Sequence, residues 1–132
     1  MSDKPVLTGP SFSPASDGPA KQLVIFLHGV GANGDDLISL APVFSKALPD
    51  TAFLAPNAPD PCDMGPFGYQ WFSLQDRSPS AIESGVRASA VLVNKFIDDS
   101  CKLYNVEPDK VALFGFSQGC MMSLFVGLRR KR

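Results

Sequence analysis

Three short apolar runs punctuate the chain, at residues 23–27, 51–55 and 111–114, each bounded closely by glycine or proline. Continuous apolar runs of four or five residues, rich in strand formers, are expected of strands buried on both faces, as in a parallel sheet. Between the first two, Leu37, Leu40, Ala41, Phe44 and Leu48 recur at helical spacing and predict one apolar helix face. Asp35 and Asp36 stand where a helix start favours negative charge. Pro42 inside that pattern predicts a kink, or a helical turn followed by a second start. Ser80-Ala81-Ile82-Glu83 matches a capping box. Ile82, Val86, Ala90, Val93, Ile97, Cys101 and Tyr104 follow at three- and four-residue steps, a helix of about six turns that Pro108 ends. Residues 118–128 read as a last helix, with Arg129, Arg130, Lys131 and Arg132 complementing the dipole at its C-terminal end.

Two stretches lack such periodicity. Residues 1–21 are rich in Pro, Ser and Gly with isolated apolar residues at Val6, Leu7 and Phe12, and suggest a ragged edge hairpin. Residues 56–78 form a long loop carrying Tyr69, Trp71 and Phe72; loops of that length in a small domain are usually functional or disordered. The order strand, helix, strand, loop, helix, strand, helix predicts an α/β fold: a parallel sheet with flanking helices, in a single domain spanning 1–132.

Composition narrows the function classes. A net charge of −1 leaves no electrostatic footprint for nucleic acid and no basic membrane patch. No apolar stretch is long enough to span a bilayer or form a signal core, so no membrane anchor is expected and the cytoplasm is favoured. Cys62, Cys101 and Cys120 are odd in number and widely spaced, which fits free thiols. With one histidine and no C-x-x-C, neither a metal nor another cofactor is expected.

The candidate chemistry lies at two strand ends. Gly115-Phe116-Ser117-Gln118-Gly119 is a G-x-S-x-G pentapeptide set directly between the 111–114 strand and the 118–128 helix. The pattern alone arises by chance in about 4 of 100 chains of this length; the strand–turn–helix setting makes it more specific. A serine on such a tight turn stands clear of the sheet edge, and the flanking glycines remove Cβ atoms that would clash. The plainer alternative is a helix-capping serine between turn glycines. The second piece is Leu27-His28-Gly29-Val30-Gly31, after the first strand. Such a loop donates one backbone N–H to an oxyanion, and the residue after the nucleophile donates another. Here these are the amides of Val30 and Gln118. A phosphate loop is not indicated, because the Walker spacing and its lysine are missing.

Residues 23–128 resemble the phospholipase/carboxylesterase family of α/β-hydrolases, which includes the acyl-protein thioesterases. The matching stretches are Phe26-Leu-His-Gly-Val-Gly-Ala-Asn-Gly-Asp35, Phe53-Leu-Ala-Pro-Asn-Ala-Pro59, Gln70-Trp-Phe-Ser73 and Val111-Ala-Leu-Phe-Gly-Phe-Ser-Gln-Gly119. The resemblance implies a cytosolic hydrolase of small-molecule acyl esters or thioesters. It implies Ser117 as nucleophile, Val30 and Gln118 as oxyanion donors, and Trp71 and Phe72 near an acyl pocket. Both rings equally fit the role of loop anchors in the core. A dienelactone-hydrolase-like enzyme fits less well, since its expected nucleophile is cysteine.

The triad of these enzymes runs Ser, then Asp or Glu, then His. The residues after Ser117 contain no Asp, Glu or His, and the later strands of the fold are expected to be missing. The single histidine, His28, reads as a shaper of the oxyanion loop, and Asp98 and Asp99 as a solvated helix face. A serine without its base loses about 10⁶ in rate, roughly 8 kcal/mol. Three readings share this front end: a hydrolase incomplete as it stands, a non-catalytic remnant with a binding or regulatory role, and one half of a split hydrolase. All leave the 111–114 strand as an exposed apolar edge, which invites association. We therefore expect marginal stability or self-association. A monodisperse monomer by light scattering, with a steep urea transition, would refute this expectation.

Overall fold

The computed structural model describes residues 7–129. The chain forms β1 (Ser11–Phe12), β2 (Gln22–Leu27), α1 (Gly34–Ile38), α2 (Ala41–Ser45), β3 (Thr51–Leu54), β4 (Asp60–Pro61), β5 (Tyr69–Gln70), α3 (Pro79–Tyr104), β6 (Val111–Gly115) and α4 (Gln118–Arg129). The main sheet has the order β1-β3-β2-β6. β2 runs parallel to β3 and to β6, and only β1 is antiparallel.

Alternation along the strands divides the core in two. Leu23, Ile25 and Leu27 of β2 join Ala52 and Leu54 of β3, together with Val86, Ala90, Val93 and Ile97 of α3 and Met122 and Val126 of α4. The opposite face buries Phe26, Phe53 and Ala55 with Ala41, against which Leu37, Leu40, Phe44 and Leu48 pack. Both sheet faces are thus covered by helices, which is why the strands read as unbroken apolar runs. Each fully buried aliphatic or aromatic side chain stabilises the fold by about 1.5–3 kcal/mol. The stack of Phe26 on Phe53, with ring centroids 5.9 Å apart, ties β2 to β3 on the second face.

The 37–48 pattern forms a helical turn followed by a second start, as Pro42 predicted, with Pro42 in the first turn of α2, where its missing N–H costs nothing. Three expectations are adjusted. The capping box at Ser80 does not form: Ser78 is the N-cap of α3 and Pro79 its first residue. The box occurs instead at Asn33 and Asp36, opening α1. Residues 56–78 are not structureless, because β4 and β5 pair within them. Among the described residues the N-terminal stretch forms no hairpin; β1 adds to the sheet edge by pairing with β3. Val6, Arg130, Lys131 and Arg132 lie outside the described residues. At the other edge β6 is unpaired on its outer side, with Phe114 and the following Phe116 38% and 44% exposed. Among the described residues no helix is long and apolar enough to cross a membrane.

Candidate active site

β6 delivers the chain to a sharp turn at Ser117. This residue has φ 54°, left-handed backbone that a side chain with a Cβ adopts only when its surroundings enforce it. The enforcement comes from glycines. A Cβ on Gly115 would lie 2.3 Å from the Gly119 carbonyl oxygen, and one on Gly119 would lie 1.9 Å from that of Leu27. Only bare backbone allows α4 to start this close to the ends of β6 and β2. Phe116 N–H donates to the Leu27 carbonyl at 3.1 Å, locking the turn to β2. Ser117 itself is exposed.

The loop after β2 meets this turn. A Cβ on Gly29 would stand 3.2 Å from Ser117 Cβ and 3.3 Å from the Phe116 carbonyl oxygen. Val30 follows directly. Gly31, at φ 83°, donates its N–H to Tyr69 O at 2.9 Å, and Tyr69 N–H donates to Ala32 O at 2.9 Å. β5 therefore braces the loop. No acceptor among the described residues takes the N–H of Val30, which follows Gly29, or of Gln118, which follows Ser117.

His28 is fully buried. Its Nε2 accepts the Ala58 N–H at 2.9 Å, which leaves the proton on Nδ1, donating to the Gly29 carbonyl at 2.7 Å. Both nitrogens are occupied in shaping the loop, so His28 offers no base to Ser117. Burial pushes its pKa below the ordinary imidazole value, against the opposing pull of the Gly29 carbonyl and the Asp36 charge. The folded imidazole therefore stays neutral to lower pH than the unfolded one, which binds a proton below about pH 6.5. Its contribution is complete above that pH and declines as the solution is acidified, by up to about 1.4 kcal/mol per pH unit. We predict that urea midpoints fall between about pH 6.5 and pH 5, and that His28→Asn, though less stable throughout, loses this part of the slope.

Trp71 and Phe72 are buried, 1% and 3% exposed, and belong to the core between sheet and α3. They also line a cavity of about 280 Å³ with Pro59, Asp60, Gly85 and Leu92; Ser117 is not part of its wall. The side chain of Gln118 is a feature sequence reasoning missed. It is buried, its Oε1 accepts the Trp71 N–H at 2.7 Å, and its Nε2 donates to the Phe72 carbonyl at 2.7 Å. A glutamine at a helix start ordinarily reads as solvated, so only a distant partner could have revealed it. Asp98 and Asp99 are exposed on α3, and Asp99 pairs with Lys95 at 2.9 Å. Cys62, Cys101 and Cys120 form no disulfide. Among the described residues no cluster of His, Cys, Asp or Glu could hold a metal ion.

The sequence profile of the phospholipase/carboxylesterase family matches residues 12–132. The chain belongs to the phospholipase/carboxylesterase family. Within it, acyl-protein thioesterase 1 of Schizosaccharomyces pombe is 34% identical over 111 residues, 80% of this chain and 48% of the relative. Esterase YpfH of Escherichia coli is 32% identical over 108 residues, 82% of this chain and 46% of the relative. The crystal structure of esterase PE8 superposes with a TM-score of 0.88 at 41% identity, over 95% of this chain and 59% of that one. This family member thus has the α/β-hydrolase fold and spans about half the length of the curated relatives it matches.

Proposed function

We propose that this chain carries the nucleophile and oxyanion half of a serine hydrolase acting on carboxylic esters or thioesters. The observation that supports it most is the meeting of two distant segments at one serine. Ser117 sits at a left-handed turn with the Gly29 backbone against its Cβ, and the backbone amides of Val30 and Gln118, the residues after Gly29 and Ser117, have no acceptor among the described residues. In this reading Ser117 Oγ attacks the acyl carbonyl, and the oxyanion takes hydrogen bonds from Val30 and Gln118. Each such donor is worth about 3–4 kcal/mol in the transition state. The alcohol or thiol then leaves, and water releases the acid from the acyl-enzyme. In this reading the cavity that Trp71 and Phe72 line takes the acyl chain, which must cross from Ser117 to reach it, and the protein works in the cytoplasm.

One observation favours a partner for the chemistry. His28, the sole histidine, is committed to Gly29 and Ala58. The base must come from beyond these residues, and the exposed edge of β6 is where a further part of the sheet would join. The same edge supports self-association when it is unoccupied.

The test mixes the chain with the part of esterase PE8 that it does not cover. Hydrolysis of p-nitrophenyl butyrate and of a short acyl thioester is then followed. The expected result is turnover by the mixture alone, lost by about 10⁶ on Ser117→Ala. Turnover that survives Ser117→Ala, or a stable complex without turnover, would overturn the reading and favour a binding or regulatory role.

A further inference from the structure

The hydrogen bonds of Trp71 give it a second task besides filling the core. Its indole Nε1 donates to the His28 carbonyl at 2.7 Å, in the loop that leads to Val30. Its backbone N–H donates to Gln118 Oε1 at 2.7 Å, on the residue after Ser117. One residue therefore touches both segments that carry the oxyanion amides. Its carbonyl accepts the Ser89 hydroxyl of α3, and its ring lies over His28 with centroids 5.5 Å apart. Gln118 Nε2 completes the frame by donating to the Phe72 carbonyl at 2.7 Å. The indole is rigid and has only two side-chain torsions, so a tryptophan held at both ends acts as a strut.

We propose that Trp71 is a positioning residue that sets the separation of the two oxyanion donors, with the Gln118 side chain as its anchor on the nucleophile turn. This deepens the oxyanion assignment made above and rests on it. The need is geometric. Val30 and Gln118 belong to different segments, and donors must lie about 2.7–3.1 Å from a developing oxyanion. A displacement of about 1 Å costs on the order of 10²-fold in rate. The segments leave the paired strands β2 and β6, and past the Phe116 to Leu27 hydrogen bond they approach closely at Gly29 and Gly119, where there is no side chain to hold them. Trp71 supplies the rigid side-chain link from one to the other.

The chain has one tryptophan, so exchanging its indole for benzothiophene alters Trp71 alone and removes only the N–H donor. The probe is phenylboronic acid, whose boron adds the Ser117 oxygen to give an anionic tetrahedral adduct while the hydroxyl proton passes to solvent. Two quantities are read by NMR: boronate affinity with the shifts of the Val30 and Gln118 amides, and the nuclear Overhauser effect between Gly29 Hα and Ser117 Hβ. The proposal expects the sulfur analogue to weaken boronate binding about 10–100-fold and to reduce the Overhauser effect. Gln118→Met, cutting the other end of the strut, should do the same. An analogue with unchanged affinity and unchanged Overhauser effect overturns the proposal. If the unaltered protein forms no adduct, the assignment of Ser117 and its oxyanion hole fails on its own account. The Overhauser comparison then still decides the strut: reduced supports it, unchanged overturns it.

Discussion

Gly119→Ala should unfold the protein, at a cost of at least about 4 kcal/mol. A methyl group there would sit 1.9 Å from the Leu27 carbonyl oxygen, 2.5 Å from its carbon and 2.7 Å from the His28 carbonyl oxygen. All three atoms are backbone at the end of the central strand, so no side chain can swing aside. Relief requires α4 to retreat from β2, which breaks the Phe116 to Leu27 hydrogen bond and opens the core around Met122 and Val126. Overpacking commonly costs about 1–3 kcal/mol where flexible neighbours yield; here they cannot. Total stabilities of about 5–15 kcal/mol leave little reserve. Gly65→Ala provides the comparison, since its added methyl meets nothing within 4 Å and should change stability by no more than about 0.5 kcal/mol. Urea unfolding followed by circular dichroism checks both.

The second large effect is expected at Gln118. Gln118→Met keeps the length of the side chain but strands two buried peptide groups, the Trp71 N–H and the Phe72 carbonyl. Each orphaned group costs about 1–3 kcal/mol, so the substitution should destabilise by roughly 2–6 kcal/mol. Surface glutamines give values near zero, so denaturant unfolding of this single variant separates a buried clamp from a solvated helix start. A loss below about 0.5 kcal/mol would show that the clamp does not form.

These two residues mark the boundary of what could be read in advance. The elbow was legible because glycine, serine and glycine fall at a strand end, where a local steric rule decides the backbone. The strand at 23–27 was legible because burial on both faces leaves an unbroken apolar run; the 111–114 run reads the same way, but β6 is an edge strand with Ala112 and Phe114 exposed. The long helix announced itself through steps from Ile82 to Tyr104, but its start did not. Ser80 and Glu83 fit the capping pattern, yet Pro79 fixes φ and lacks an N–H, which suits the first helical residue and moves the cap to Ser78. What stayed hidden depends on partners far along the chain. β1 exists only because β3 accepts it, and β5 braces the 28–33 loop through Gly31 and Ala32. Gln118 looks polar and exposed until the 71–72 peptide groups arrive to bond it. Trp71 and Phe72 were ambiguous between pocket and core, and the structure shows them in the core while bordering a cavity.

The central claim is that position, not chemical type, makes Ser117 reactive. The most direct measurement is competition within one molecule. The chain is exposed to a limiting fluorophosphonate, and peptide mass spectrometry follows modification of Ser117 against Ser16 and Ser80, which are also exposed. Without a base all three should react slowly, but an oxyanion hole retains about 10³ of rate acceleration. The account predicts Ser117 modified about 10²–10³ times faster than the other two. Equal rates at the three serines would contradict it.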